Sequence, residues 1–133
     1  MQNYSLTSAF EASKNDDLKN WAISYLNSEG NNHGLAQIIQ NTPCKHIELT
    51  EAPLHGLIRI CGPEKGMAFP EDISVWESRI STLRQAINSG IELPPLIITD
   101  FWEASQISDG AHRYEALIRN GITKYWAIFF DRE

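Results

Sequence analysis

Hydrophobic residues recur at the i, i+3, i+4 spacing of an amphipathic helix in two stretches near the start of the chain. They run from Asp16 to about Asn27 and from His33 to Gln40. We expect the two helices to form a hairpin that covers a later sheet, with Trp21 and Tyr25 in its packed face and not in a cofactor site. Residues 1–15 are mostly polar and are expected to be loose.

A third helix is predicted from Ser74, where a Ser-x-x-Glu capping box ends at Glu77. Its apolar stripe includes Trp76 and Ile80, and Gly90 ends it. Extended patterns, rich in branched and aromatic residues, predict strands at 46–49, 54–60, 93–98, 105–108 and 124–130. The last of these is apolar enough to lie inside a sheet.

The connections are predicted from their turn residues. Residues 42–53 read as irregular apart from the short strand, 61–69 form a loop rich in glycine and proline, and 100–104 make a hairpin turn. The chain has 133 residues, no internal repeat and no linker-like tract. Together these features predict one α/β (α+β) domain, a small mixed sheet with packed helices.

The sharpest chemical signal is the turn Asp109-Gly110, which ends a strand directly before a helix opened by Ala111, His112 and Arg113. The free N–H groups and positive dipole end of a helix attract anions, and Gly110 has no Cβ to hinder a ligand. Arg113 is able to hold a phosphate with two parallel hydrogen bonds. In the simpler interpretation Asp109 caps the helix, while the histidine and arginine form surface salt bridges.

The segment from Asp109 to Leu117, followed by Gly-Ile-Thr and an aromatic strand, resembles the ParB/sulfiredoxin superfamily. The preceding stretch, Pro94-Pro-Leu-Ile-Ile98, is similar to the strand that this family places before the motif. The resemblance implies a ParB/sulfiredoxin-like core over about residues 54–130, with residues 1–45 as a helical extension. It also implies that the turn holds the phosphates of a nucleotide such as ATP, ADP or CTP, with Mg²⁺.

Within that superfamily, sulfiredoxin chemistry is excluded because Ala111 stands where sulfiredoxin carries its attacking cysteine. A phosphotransferase or nucleotide hydrolase stays open, with His112 among the catalytic groups. Glu64 is the first candidate for the catalytic base, against the alternative of a solvated loop acid. Arg59 either contacts the phosphates or forms a salt bridge on the sheet.

Glu115 is the second candidate for a base, but its spacing favours a surface ion pair with Arg119 at i+4. A different class of function is a nucleotide-sensing or partner-binding module without turnover, with the helical hairpin as the recognition element. A nuclease is the least favoured, since it needs clustered carboxylates and a basic track.

The charge and the cysteine content limit which partners and which kinds of site we expect. The net charge is -6 and the pI near 5.2, so we do not expect direct DNA binding by this chain, whereas a protein partner stays open. No signal peptide or membrane-spanning run is apparent, so a cytoplasmic location is expected. Cys44 and Cys61 are expected to be reduced, and with His46 and His55 they match no usual zinc spacing, so no metal site is predicted.

Overall fold

The structure is a computed structural model that describes residues 4–101 and 105–133. The helices of the described part are α1 (Leu6–Lys14), α2 (Leu18–Leu26), α3 (His33–Asn41), α4 (Ile73–Asn88) and α5 (Ala111–Arg119). Its strands are β1 (Cys44–Pro53), β2 (Ile58–Arg59), β3 (Cys61–Gly62), β4 (Phe69–Pro70), β5 (Leu96–Thr99), β6 (Gln106–Asp109) and β7 (Lys124–Arg132). The predicted mixed α/β (α+β) class is confirmed.

Five strands form the main sheet in the order β1-β7-β5-β6-β2, and β3 pairs with β4 in a separate two-stranded ladder. Strand β7 is antiparallel to β1 and parallel to β5, while β6 is antiparallel to β5 and parallel to β2. The prediction that the aromatic strand lies inside the sheet is therefore confirmed. Strand β6 carries Asp109 at its carboxyl end, between β5 and β2.

The two faces of the sheet have different covers, as the period of two along β5 requires. Ile97 packs with Ile128, Phe130 and the apolar residues of α1, α2 and α3. Leu96 and Ile98 pack on the other face, in a cluster with Leu117 of α5 and the half-buried Leu83 of α4. The predicted helical hairpin over the sheet is confirmed, and so is the packing role of Trp21 and Tyr25.

Helix α1 corrects the expectation that residues 1–15 are loose. Ser5 and Ser8 form a capping box, and Leu6 and Ala9 are buried. The indole Nε1 of Trp21 donates to Ser8 Oγ at 3.0 Å, which ties the helix to α2. The serines and the tertiary contact stabilise a helix that has fewer apolar residues than α2.

The region from Thr42 to Ile60 also differs from the prediction. Strand β1 covers Cys44–Pro53 and pairs with β7 along its length, where only a short strand was expected. Residues Leu54–Gly56 form a 3₁₀ turn, so the predicted strand at 54–60 shrinks to Ile58–Arg59. Pairing with β7 extends β1, and such long-range pairing leaves little trace in the local pattern of an edge strand. The turn at 54–56 is instead closed by a local hydrogen bond from Leu57 N to Leu54 O at 3.0 Å.

Helix α4 begins one residue before the predicted capping box. The side chain of Asp72 accepts hydrogen bonds from the N–H groups of Ser74 (3.0 Å) and Val75 (3.2 Å), so Asp72 is the cap. The predicted stripe is confirmed, with Trp76 and Ile80 buried. Residues 102–104 of the predicted hairpin turn lie outside the described residues.

No helix in the described ranges is long and apolar enough to cross a membrane.

Candidate functional site

The turn between β6 and α5 places the start of a helix at the carboxyl end of an inner strand of the sheet. Gly110 is the N-cap residue of α5 with φ +110°, and no side chain caps the helix within the described residues. Asp109 accepts a hydrogen bond from Asn32 Nδ2 at 3.2 Å and lies 3.5 Å from Arg113 Nη2. The interpretation of Asp109 as the helix cap is therefore wrong. The N–H groups of the first turn lie at the positive end of the helix dipole, and no side chain among the described residues caps them.

Gly110 is required by the protein's own packing. A Cβ at this position would meet Leu96 Cδ2 at 2.8 Å and Arg113 Nη2 at 2.9 Å. The positive φ also favours glycine. The space left by the missing side chain is thus filled by the protein, where the sequence suggested room for a ligand.

Arg113 is buried, and its terminal nitrogens are used inside the protein. Nη1 donates to Tyr25 Oη and Nη2 to Pro95 O, both at 2.9 Å. The guanidinium also lies over the Tyr25 ring at 5.6 Å, and burial raises the pKa of that tyrosine. The two terminal nitrogens are therefore not free to form the two parallel hydrogen bonds that were expected towards a phosphate. Nε of Arg113 is buried and has no hydrogen-bond partner in the described part of the chain.

His112 is held by a carboxylate that the sequence did not single out. Its Nε2 lies 3.0 and 2.9 Å from the two carboxylate oxygens of Glu71, and its ring is 4.8 Å from that of Trp76. Such a pair fixes the orientation of the imidazole, with the ring N–H donating to the carboxylate. Glu71 stands between β4 and α4, and only the three-dimensional fold brings it to the motif.

Cys61 also contacts Glu71, with Sγ 3.6 Å from Oε2. Burial and the neighbouring carboxylate raise the pKa of this thiol. It is therefore a protonated thiol at neutral pH and not an activated nucleophile. Both Cys61 and Cys44 are free.

Arg59 and Glu64, two of the predicted site residues, are brought to each other. Arg59 donates to both carboxylate oxygens of Glu64 and to Cys61 O, and stacks on Trp76 at 4.7 Å. This hydrogen bonding lowers the pKa of Glu64. Neither residue lines the clefts that meet at the Gly110 turn.

Glu115 takes part in two ion pairs. It lies 3.0 Å from Arg119 Nε, as the i, i+4 spacing predicted, and 3.6 Å from Arg59 Nε. The pair with Arg59 links α5 to strand β2.

Two clefts meet at the turn, and both are bounded by Asn32, Asp109, Gly110 and His112. The first, here called the polar cleft, has a volume of about 560 Å³. It lies between the α2–α3 connection and α4, and Arg113 also borders it. The second, here called the apolar cleft, has a volume of about 430 Å³ and lies between α3 and the β3–β4 ladder.

Helix α4 contributes polar side chains to the polar cleft that sequence reasoning missed. Ser78, Arg79 and Thr82 line it, and Arg79 has a side chain that is 62% exposed. Arg79 is 4.0 Å from Glu71, a distant pairing that leaves its charge available. Ser78 and Thr82 are spaced i, i+4, which was readable from the sequence, but nothing local showed that their face meets the motif.

No group of three or more His, Cys, Asp or Glu side chains among residues 4–101 and 105–133 is arranged to hold a metal ion.

Comparison with known proteins gives structural similarities only. Neither a protein-family model nor a curated protein sequence matches the chain. The structure is similar to that of sulfiredoxin from Arabidopsis thaliana, with 18% identity, a TM-score of 0.48, and coverage of 63% of this chain and 85% of the other. It is also similar to a free serine kinase in complex with AMP, with 18% identity, a TM-score of 0.44, and coverage of 68% of this chain and 34% of the kinase.

A Pnob8-like ParB-N domain is a third similar structure, with 16% identity, a TM-score of 0.43, and coverage of 67% of this chain and 32% of that one. The chain thus spans about a third of the length of the kinase and ParB-N structures.

Proposed function

We propose that this protein binds a nucleotide or another small phosphorylated ligand, with a phosphate group at the start of α5 in the polar cleft. One observation carries the proposal. The guanidinium of Arg113 packs against Gly110 at the start of α5, which no side chain among the described residues caps, so a positive charge and the positive end of the helix dipole lie together. An anion at a helix start is typically stabilised by about 0.3–1 kcal/mol.

The lining of the polar cleft suits a phosphate. Arg79 supplies an exposed positive charge and Ser78 a hydroxyl donor, whereas the hydroxyl of Thr82 already donates to Ser78 O at 3.1 Å. The carboxylates of Asp109 and Glu29 also border the cleft, so a strongly anionic ligand benefits from a bound cation there. ATP, ADP or CTP would bring Mg²⁺ on its own phosphates, because the described residues offer no metal cluster.

Binding is tested by isothermal titration calorimetry with ATP, ADP, CTP and inorganic phosphate, each with and without Mg²⁺. Arg79→Gln should weaken binding by about tenfold or more, the scale of one charge-assisted hydrogen bond. Arg84→Gln is the matched control, because Arg84 lies on the same helix, pairs with Asn120 and does not line the polar cleft. Equal affinities for the two variants would contradict the placement of the phosphate.

A phosphotransferase or nucleotide hydrolase is the second candidate, favoured by the His112–Glu71 pair beside the turn. In this reaction a hydroxyl or water oxygen attacks the terminal phosphorus, and the bond to the bridging oxygen breaks. The proton of the attacking group passes to the imidazole of His112, whose orientation and positive charge Glu71 supports.

Turnover is tested with Mg²⁺ and each nucleotide against a panel of small hydroxyl compounds, following nucleotide consumption. Loss of turnover in Glu71→Gln with retention in Glu64→Gln would support the pair, and the reverse would restore Glu64 as the base. Tight binding with no turnover across the panel would leave the nucleotide-sensing or partner-binding module.

A further inference from the structure

The apolar cleft has a character distinct from that of the polar one. Its walls are apolar side chains from three parts of the fold, namely Leu35, Ile38, Ile60, Phe69, Ile107 and Ala111. Its volume of about 430 Å³ is within the range of small-molecule sites. Ile38 and Phe69 remain 38% and 62% exposed, so they leave large apolar surface uncovered at this site.

The charge around the apolar cleft excludes an anionic occupant. No lysine or arginine is among the described residues that line it, whereas the carboxylate of Asp109 is. A carboxylate or phosphate placed here would face that negative charge without a compensating side-chain cation. The phosphate of the proposed nucleotide therefore belongs on the other side of the turn, near Arg79 and Arg113.

The polar groups of the apolar cleft lie at one end of it. Ser108, Asp109 and His112 line that end, where β6 passes into α5. Asp109 accepts a hydrogen bond from Asn32, and a carboxylate has further lone pairs for another donor. A ligand with an apolar body and one hydroxyl group at its end would satisfy both parts of this lining.

We infer that the apolar cleft is a second ligand site, which takes a small neutral molecule with an apolar body and a hydroxyl group. The body lies against Leu35, Ile38 and Phe69, and the hydroxyl donates to Asp109. Helix α3 sets the specificity of this site because it supplies one entire wall. The site goes beyond the proposed nucleotide function and does not depend on it.

Gly34 offers a means of blocking the site without disturbing the fold. It lines the apolar cleft from within α3, and a Cβ built on it meets no atom within 4 Å. Gly34→Trp should therefore fill the cleft, and Gly34→Ala is the matched control that leaves it open. Both variants replace a helical glycine, which favours the helix.

The experiment is an NMR titration of amide shifts with benzyl alcohol and cyclohexylmethanol as probes. Glycerol and benzoate serve as the polar and anionic comparisons. We expect the two alcohols to shift the signals of Leu35, Ile38, Ile60 and Ile107, with glycerol and benzoate binding at least tenfold more weakly. The shifts should vanish in Gly34→Trp, persist in Gly34→Ala, and weaken at least fivefold in Ile38→Asn.

Several outcomes would overturn the inference. They are shifts that persist in Gly34→Trp, benzoate or glycerol binding as well as the alcohols, and an absence of shifts in the native protein. Displacement of benzyl alcohol by adenosine, with loss of ATP binding in Gly34→Trp, would assign the cleft to the nucleotide's base instead. Unchanged nucleotide affinity in Gly34→Trp is the expected result, and it separates this inference from the phosphate proposal.

Discussion

At the scale of single residues, the turn shows how closely backbone and side chains depend on one another. Gly110 adopts φ +110°, and the guanidinium of Arg113 occupies the space where a Cβ would stand. The same guanidinium reaches Tyr25 of α2 and Pro95 before β5. A substitution at the glycine therefore disturbs both the helix start and the buried arginine.

Gly110→Ala should lower the free energy of unfolding by about 2 kcal/mol or more, because it adds backbone strain to a steric clash. Urea denaturation at neutral pH measures the change. Gly34→Ala is the control, since that position is open and helical, and we expect its stability to be unchanged or slightly higher. Equal stabilities for the two alanine variants would show that Gly110 is not held as described.

Glu64 gives a prediction about pH. The hydrogen bond from Arg59 lowers the pKa of Glu64 in the folded state, so the pair stabilises the protein above the carboxyl's unfolded pKa of about 4.3. That contribution is lost as the pH falls through the lowered folded pKa. The side chain is 48% exposed, so the effect at neutral pH should stay below about 1 kcal/mol.

Urea denaturation of the native protein and of Glu64→Gln, from pH 7 down to pH 3, provides the measurement. The stability difference should be present at pH 7 and should shrink as the pH falls through the lowered pKa of the native carboxylate. A difference that grows towards acid pH would contradict the pairing with Arg59.

At the scale of elements, the start of α4 separates the sequence interpretation from the structure. The sequence pattern favours Ser74 as the cap, whereas the structure assigns the role to Asp72. Asp72→Ala should therefore cost about 1 kcal/mol of stability, and Ser74→Ala should cost little. Thermal or urea unfolding measures the stability of the two variants. A larger loss of stability in Ser74→Ala would favour the capping box.

The sequence predicted the elements whose signals are local. The aromatic strand at 124–130, the stripe of Trp76 and Ile80, and the helix after Gly110 all carry strong periodicity, and all are present. Helix α1 and the full length of β1 were missed, because one depends on contacts with α2 and the other on pairing with β7. Tertiary contacts of this kind are not written in a local pattern.

The candidate site was likewise predictable only in its local part. The turn and its helix were readable from the motif, and His112 lies at the meeting of the two clefts. Glu71, Arg79 and Asn32 come from distant segments, so only the fold shows that they belong there. The burial of Arg113 was also beyond the sequence, because a motif does not reveal which side of the chain its arginine faces.

At the scale of the whole molecule, the N-terminal helices are part of the site. Asn32 caps α3 through Leu35 N and donates to Asp109, so it joins the hairpin to the motif. Helix α3 lines one side of the apolar cleft, while the α2–α3 connection lines one side of the polar cleft. The division into a helical extension over residues 1–45 and a core over 54–130 stays a prediction, and these contacts link the two parts at the turn.

The most direct measurement is an NMR titration of the ¹⁵N-labelled protein with ADP, with and without Mg²⁺. It follows the main-chain amides of Ala111, His112 and Arg113 together with the Nε–H of Arg113. We expect the three main-chain amide signals to show the largest shifts, moving downfield in proportion to binding as each N–H donates to a phosphate oxygen, and the buried Nε–H of Arg113 to respond only to the nearby charge. Saturable binding that leaves them unmoved, or the absence of any binding by nucleotides and phosphate, would contradict the assignment of an anion to the start of α5.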